Sequence, residues 1–547
     1  MTIKQIDLIK IYKQKSALVV DDYPDMRGSI RRMLVNFGVV NVETASTGEE
    51  AIAKCEEFNY DIILADYNLG DGKSGQQILE EMRFKRMLKS TSLYMMITAE
   101  TTKSMVFGAL EYQPDDYLTK PFTQAVLQKR LDRLVLEKEA LYKINHAIDM
   151  LDFDRAIELC RARISLKDKY ERRCHRLMAD CMFKKHKFGQ AKAIYEKVLE
   201  DRPVEWALIG LGKSLMALNE LEEAEQIFSS LIKQGTLCLE VHDCLSDIKS
   251  RRGDIEGAQR LLEDAIEVSP NAIMRQQKLA SISETNHDWD GAQKSFKKVI
   301  RLSNNSVYES PEHHFNFCRS ISKEMNNSRE KPVSKIKEAQ DVLKMAKRRF
   351  SGNENIELQS DIVEAAVFAD AGKIEESKSK VDSLQNRLSE ASNRSAELYL
   401  DMARTYKAIG DDDKSKEILI ELAEQYADDA DICMAIDAMS DEPITARGKQ
   451  KAVALNKQGK ELFAGKEYKK AVQLFSQALI HYPNNIGLNL NLMLALVRKM
   501  NSDGPTQQEV ERCHAAKDKL AHLENSSPYY ERYQALSGHL DKLKARI

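Results

Sequence analysis

The sequence predicts a chain in two parts: an α/β domain on a five-stranded parallel sheet, followed by an all-α array of helix pairs. Three observations carry this reading. Up to about residue 123, short apolar strands alternate with helical patterns, the order that builds βαβ units. From residue 150 onward, small residues recur with a period near 34, the mark of a helical repeat. After residue 125 no strand-type alternation of apolar and polar residues occurs.

The α/β part opens with the strand Ser16-Ala17-Leu18-Val19-Val20, which ends on Asp21-Asp22. Pro24 starts a helix with Ile30, Met33, Leu34 and Phe37 on one face, and Gly38 closes it. A strand around Val39–Thr44 follows, then a helix from Thr47-Gly48-Glu49-Glu50 through Cys55. Ile62-Ile63-Leu64-Ala65-Asp66 is Ile/Leu-rich on both faces, as a buried parallel strand requires, and ends in one carboxylate. A loop with Gly70, Gly72 and Gly75 leads to a helix over Gln76–Met87, a strand at Leu93–Thr98, a helix over Lys103–Leu110 and a strand at Asp116–Thr119.

In a parallel sheet the carboxyl ends of the strands share one edge, where open α/β folds place their ligands. That edge should gather Asp21, Asp22, Asp66, Thr98 and Lys120 into one pocket. Three carboxylates there repel one another by roughly 4 kcal/mol per pair at 4 Å and an effective dielectric of 20. A hard divalent cation removes that repulsion, and Mg²⁺ with a few oxygen ligands and retained waters suits the site. Lys120 adds a second positive charge, Thr98 offers a hydroxyl to an incoming oxygen, and Asp66 becomes a nucleophile for phosphoryl transfer.

Residues 16–123 thus resemble a CheY-like receiver domain of two-component signalling. The resemblance rests on Asp21-Asp22, Ala65-Asp66-Tyr67-Asn68, Thr98-Ala99 and Lys120-Pro121-Phe122. It implies a flavodoxin-like strand order 2-1-3-4-5, Asp66 as phosphoacceptor, and Mg²⁺ held by Asp21, Asp22, Asp66 and the backbone carbonyl of Asn68. It further implies catalytic roles for Lys120 and Thr98, a cis Lys120–Pro121 peptide, and a switch made of Thr98 and Tyr117. Asn68 and Glu100 fall on the positions that modulate phosphoryl lifetime, a pair that suits fairly quick dephosphorylation. Gly70 departs from the family: it stands where many receivers have Pro, and the loop to Gly75 is one residue longer than theirs.

Thr123–Ile148 reads as one helix without Gly or Pro, with an apolar stripe of Leu127, Leu131, Leu134, Leu141, Ile144 and Ile148. At that length, about 38 Å, it is expected to leave the receiver and start the next domain. A break near Glu137-Lys138-Glu139 would uncouple the two parts.

In the array, Ala156, Ala191, Ala224, Ala258 and Ala292 mark the period, and Cys160, Tyr195, Phe228, Leu262 and Phe296 stand four positions on. Ala179, Gly212, Ser246 and Ala280, twelve positions before the later ones, allow a second helix to approach closely. The pattern resembles the tetratricopeptide repeat (TPR), so the second part is expected to be an all-α TPR superhelix. The boundaries read as an N-terminal extension 1–15, receiver 16–123, connecting helix 124–149, regular units 150–306, divergent units 307–428, linker 429–449 and a C-terminal unit with capping helices 450–547. The middle units carry Ala339, Leu343 and Ala346, then Ala365, Phe368 and Ser377, then Ala403, Tyr406 and Ser415. The unit at Gly459, Ala471, Phe475, Ala478 and Pro483 is the cleanest, and a turn is expected at Asn501–Pro505.

Other features point away from further chemistry. Aligned with the carboxylate clamp of peptide-binding TPRs, this sequence has Asn456 in place of the Lys and Lys460 in place of the Asn, with Asn491 alone fitting. His313-His314 lack a third metal ligand at a usable spacing, Lys347-Arg348-Arg349 reads as a helix end, and Trp206 and Trp289 read as core. The formal net charge of −3 gives no broad attraction to nucleic acid or an anionic membrane. Nine cysteines without a CxxC pair read as free thiols in a reducing compartment. A lysine-interleaved N-terminus and the lack of an apolar run of roughly 18 residues make a cytoplasmic protein the expectation.

The whole resembles VieB-type receiver–TPR response regulators. That resemblance implies a sensor histidine kinase or phosphotransfer domain as phosphodonor, a protein partner on the TPR surface and no enzymatic, nucleic-acid or membrane output. It also admits a phosphorylation-dependent homodimer. The alternatives are an inhibitor or phosphate sink competing for a kinase, or a TPR-type phosphatase of another receiver.

Overall fold

The computed structural model describes residues 3–99, 113–236, 238–327, 332–390 and 394–544. The position Glu100 and the helix expected over Lys103–Leu110 lie outside them. Two compact units divide the chain: residues 1–248, 256–282 and 297–310 form one, and 249–255, 283–296 and 311–547 the other.

The first unit contains the α/β domain. Strands β1 (Ser16–Val20), β2 (Asn41–Ala45), β3 (Ile62–Asp66), β4 (Leu93–Thr98) and β5 (Asp116–Thr119) form one sheet in the order β2-β1-β3-β4-β5. All four pairings are parallel, with Val20 beside Ala65, Asp66 beside Ile97 and Thr98 beside Thr119. Alternate residues of each buried strand serve opposite faces. Ala17, Val19, Ile62, Leu64, Met95 and Ile97 pack with Ile30 and Leu34 of α2 (Pro24–Phe37) on one side. Leu18, Val20, Ile63, Ala65, Tyr94 and Met96 pack on the other, against α3 (Gly48–Glu57) and α4 (Gly75–Phe84). Thr47 caps α3 by accepting the Glu50 N–H, and Ser74 with Gln77 forms a capping box on α4.

The N-terminal extension contains a helix, α1 (Ile3–Lys13). Tyr12 is buried and donates its hydroxyl to Asp132 Oδ1 at 2.8 Å, while Leu8 and Ile11 pack on the same core. Their spacing of three and four places them on one helical face. Lys15 reaches Asp61 at 3.5 Å and Glu139 at 3.4 Å.

The connecting segment is not the single helix that its apolar stripe suggests. It is two helices, α5 (Gln124–Ala140) and Tyr142–Asp149, separated at Leu141, whose φ −106° and ψ 10° leave the helical region. Leu127, Leu131 and Leu134 belong to the receiver core, and Leu141 and Ile144 to the first repeat core. The two ends of the apolar stripe are buried in different cores, and a bend at Leu141 lets each reach its own. The receiver side holds the second helix: Asp149 accepts from Ser90 N at 2.5 Å and from the Thr91 hydroxyl at 3.1 Å.

After Asp149 every described element is a helix. Helices starting at Phe153, Phe188, Leu221, Ile255 and Trp289 carry the periodic alanines, and Ala156, Ala191, Ala224, Ala258 and Ala292 are all fully buried. A Cβ on Gly212 would lie 2.5 Å from the Phe228 ring, so glycine there is what lets the aromatic side chain enter. The period loosens in the middle because helices lengthen: Val333–Arg349, Glu354–Asp370 and Ile374–Glu390 each have 17 residues. Helix pairing persists, with the Ser377 hydroxyl donating to Ala365 O at 2.7 Å and that of Ser415 to Ala403 O at 2.8 Å.

The segment 429–449 is not a linker. Ala430–Met439 is a helix with Cys433 and Ile436 buried, and buried Asp437 accepts from Ile444 N at 2.8 Å and Thr445 N at 2.9 Å. The last turn shifts slightly, since Ile486–Asp503 is helical and the break comes at Gly504 with φ 88°.

Candidate functional site

Carboxyl-end convergence places Asp21 and Asp22 just after β1, Asp66 on the last residue of β3, Thr98 on the last residue of β4 and Lys120 just after β5. One carboxylate oxygen from each of Asp21, Asp22 and Asp66 lies within 4.8 Å of the others. Lys120 Nζ spans the group, 2.8 Å from Asp21 Oδ2 and 2.7 Å from Asp66 Oδ2. Thr98 is buried beside them, and its carbonyl accepts Lys120 N at 2.7 Å, which fixes where the lysine side chain starts. The Lys120–Pro121 peptide is cis.

The charges do not balance. Asp21 is satisfied by Tyr23 N at 2.9 Å and by Lys120, and Asp66 takes its other help from the Asn68 backbone N–H. Asp22 Oδ1 is buried with no hydrogen-bond partner. Burial pushes Asp66 above the ordinary carboxylate range, more strongly than Lys120 pulls it down. Burial also works against a charged Lys120, but hydrogen bonds to Asp21 and Asp66 outweigh it and hold the ammonium above its usual value. Three oxygen donors around one ammonium, one oxygen orphaned, is a donor set that fits a small hard cation.

The loop after Asp66 is built to return close to the strand. Gly75 N donates to Tyr67 O at 3.0 Å, and a Cβ on Gly75 would sit 2.1 Å from Asp66 O. Gly70 and Gly72 have φ of 71° and 104°, which glycine adopts without strain. Asn68 is exposed at the mouth, and its side chain accepts from Gly70 N at 3.3 Å. Tyr117 is half-buried on β5, against the core face that holds Tyr94 and Met96. Beside it Asp116 accepts from Arg130 at 2.7 Å and Arg133 at 2.8 Å.

Two groups next to the site carried no motif in the sequence. Lys73, two residues before α4, donates to Asn305 O at 2.6 Å, and Gln77 donates to Asn304 O at 3.3 Å. Both acceptors lie just after Ser303, in the same compact unit as Lys73 and Gln77. A contact across more than 200 positions leaves no local signal.

Elsewhere, His313 and His314 are buried in the helix Glu312–Asn327, where His314 meets Phe350 edge-on at 6.0 Å. Lys347 pairs with Asp361 at 2.8 Å. Asn491 hydrogen-bonds Asn456 and Arg532, so the one residue matching a carboxylate clamp is engaged internally. Trp206, read as core, is only partly buried.

A parallel 2-1-3-4-5 sheet with this acidic group and lysine at its carboxyl edge defines the receiver class of signalling domain. The chain belongs to the response regulator receiver family, whose domain matches residues 17–132, and a tetratricopeptide repeat matches residues 397–429. It is similar to chemotaxis protein CheY-3 of Vibrio cholerae, 30% identical over 122 residues that make up 22% of this chain and 92% of that protein. It is likewise similar to chemotaxis protein CheY of Pseudomonas aeruginosa, 30% identical over 117 residues, 21% of this chain and 93% of the relative. The solved structure of Vibrio cholerae CheY4 aligns at 28% identity over 22% of this chain and 97% of its own, with a TM-score of 0.21. The repeat match falls where the sequence reads as divergent, at Ala396–Ile409 and Asp412–Gln425, where helices return to 14 residues each. No described helix is long and apolar enough to cross a membrane.

Proposed function

We propose that this chain is a phosphorylation-controlled response regulator whose TPR region is a protein-interaction output. The observation that carries the reading is the convergence of Asp21, Asp22 and Asp66 within 4.8 Å, with Lys120 bridging two of them. A sensor histidine kinase or phosphotransfer domain presents phosphohistidine, and Asp66 attacks its phosphorus in line while the histidine nitrogen leaves. Asp21, Asp22, Asp66 and the Asn68 carbonyl would hold Mg²⁺, which supplies positive charge to the phosphoryl oxygens when bound. Lys120 exchanges part of its contact with Asp66 for a phosphoryl oxygen, and the Thr98 hydroxyl donates to another. Asn68 and Glu100 set how water reaches the acyl phosphate. Apart from this turnover the chain performs no catalysis and acts in the cytoplasm.

Thr98 and Tyr117 relay the change along β4 and β5, and the loop after Asp66 reaches the repeats through Lys73 and Gln77. Moving such an equilibrium from 10:90 to 90:10 takes only about 2.6 kcal/mol of differential stabilisation. The test is incubation of the full chain with acetyl phosphate and Mg²⁺, with intact-mass detection of phosphoaspartate and scattering before and after beryllofluoride. Uptake at Asp66 with a change in shape or oligomeric state is expected. An Asp66→Asn chain that still takes up phosphoryl, or binds every partner as the wild type does, sinks the reading.

A further inference from the structure

Where α5 faces the first repeats, the first unit holds a cavity of about 440 Å³ that the phosphoacceptor chemistry does not use. Its size lies within the usual range for small-molecule sites, roughly 300–1,000 Å³. The lining is strongly cationic: Arg133 from α5, Lys169, and Arg172, Arg173 and Arg176 from the helix Glu171–Lys184, with Glu137 the one carboxylate. Glu137 lies 3.4 Å from Arg173, and Arg133 is shared with Asp116 at 2.8 Å. Arg172 and Arg176 form no ion pair among the described residues. Carboxylates engage Arg133 and Arg173, and the positive charge left on the same space by Lys169, Arg172 and Arg176 favours an anion.

Two aromatic faces border the same space, and each is covered by a cation. Arg176 lies 5.9 Å from the Trp206 ring centre and Lys169 Nζ 4.8 Å from that of Tyr170. The Tyr170 hydroxyl is anchored on Leu136 O at 3.4 Å, which holds the ring against α5. Guanidiniums match phosphate oxygens in pairs, and Arg176 turning from the half-buried Trp206 ring to a phosphate would uncover an indole face that takes a planar ring by stacking.

We infer that this cavity binds a small phosphate ester carrying a planar ring, that is, a nucleoside phosphate. The phosphates lie among Arg172, Arg173 and Arg176, and the ring stacks on Trp206. α5 walls one side of this open groove, and its volume of about 440 Å³ suits a compact ligand, with an acidic peptide as the competitor to be tested. Arg133 belongs both to the cavity and to the Asp116 contact beside Tyr117, so occupancy and the receiver state influence each other reciprocally.

Only Trp206 and Trp289 are present, so a full-length Trp289→Phe chain leaves Trp206 as the reporter. Adenosine and guanosine mono-, di- and triphosphates, pyrophosphate and a glutamate-rich peptide are titrated without any phosphodonor, so failure here leaves the Asp66 reading untouched. Saturable quenching by a nucleotide is expected, weakened about tenfold by Arg172→Ala/Arg176→Ala, with pyrophosphate about tenfold weaker than the diphosphates. The single Lys169→Ala variant and a fall in affinity with rising salt cover the case in which the double variant misfolds. Absence of saturable quenching overturns the proposal. Affinity unchanged in the variants, equal affinity for pyrophosphate, or tighter binding of the peptide than of any nucleotide does the same.

Discussion

Each part of the molecule buries a cluster of charge, and the two clusters are built to opposite ends. In the receiver, Asp21, Asp22 and Asp66 surround one Lys120, and Asp22 Oδ1 has no partner. In the helical region, Arg319 is gripped by Asp401 at 2.9 Å and 2.5 Å and by Glu312 at 2.6 Å, and Gln359 completes Asp401 at 2.8 Å. Burial raises the Asp66 pKa beyond what Lys120 recovers. Burial also acts to raise that of Asp401, but the Arg319 guanidinium reverses it and holds the carboxyl below the ordinary range. Unspent charge makes a reactive site; saturated charge makes a staple between the helices Glu312–Asn327, Glu354–Asp370 and Ala396–Ile409.

The largest expected effect comes from the unspent cluster. Asp66→Asn abolishes phosphoryl uptake from acetyl phosphate, read by intact mass. Because it removes one of three mutually repelling carboxylates, it leaves the receiver as stable as the wild type or more so in metal-free buffer. A receiver that unfolds on this change would mean that Asp66 is a structural residue and the contrast false.

In the saturated cluster a single change is purely destructive. Asp401→Asn leaves the buried Arg319 with Glu312 as its remaining ion-pair partner and should still cost up to about 3–5 kcal/mol, read from urea unfolding. Arg319→Met with Asp401→Leu should recover most of it, since the charges that lose a partner, Glu312 and Arg404, are solvent-accessible, and Gln359 keeps Glu312. Acid should separate the clusters too. A depressed carboxyl stabilises the fold above its unfolded pKa, about 3.9, and that stability is lost as pH falls through the folded value. Asp66, with its pKa raised, has the opposite sign: in metal-free buffer its contribution falls as pH rises above about 4. With Trp206→Phe, Trp289 reports the unit that contains Asp401, and its acid transition should move to higher pH in Asp401→Asn.

How much of this the sequence disclosed follows the same division. A site made of strand ends is legible, because Asp21, Asp66, Thr98 and Lys120 each end an apolar run and a parallel sheet brings those ends together. The sheet order and the helix pairs around Ala191, Ala224 and Ala258 were legible for a similar reason, since periodicity survives in one dimension. Arg319 and Asp401 stand 82 positions apart, and nothing in either neighbourhood announces the other. The helix containing Tyr12 and the one at Ala430–Met439 leave little trace in the sequence because short amphipathic stretches beside lysines or acids look like solvated tails. The bend at Leu141 was hidden because both of its flanks are good helix.

Backbone fit gives a smaller effect that sharpens the same contrast. A methyl at Gly75 meets Asp66 O at 2.1 Å, so Gly75→Ala should cost about 1–3 kcal/mol and displace the end of β3, slowing phosphoryl uptake. Gly459→Ala meets the Phe475 ring at 2.3 Å and should cost a similar amount, with uptake untouched. Uptake slowed equally by both changes would show that the site does not depend on its own strand end.

The smallest expected effect bears on how the two parts communicate. Lys73 holds Asn305 O at 2.6 Å and Glu81 at 3.0 Å, and it belongs to the loop that leaves Asp66. Lys73→Ala removes a charged hydrogen bond to Asn305 O and an ion pair with Glu81 at a half-buried place, about 1–3 kcal/mol together, and Glu81 keeps Lys85 at 2.7 Å. The receiver should therefore stay folded and Asp66 should react at its normal rate. What should change is hydrogen exchange over residues 304–308. In the wild type, beryllofluoride alters exchange there as the loop shifts, whereas in Lys73→Ala exchange is already fast and no longer responds. If the response to beryllofluoride survives intact in Lys73→Ala, the signal leaves the receiver by β4, β5 and α5, and the loop contact only holds the two surfaces together.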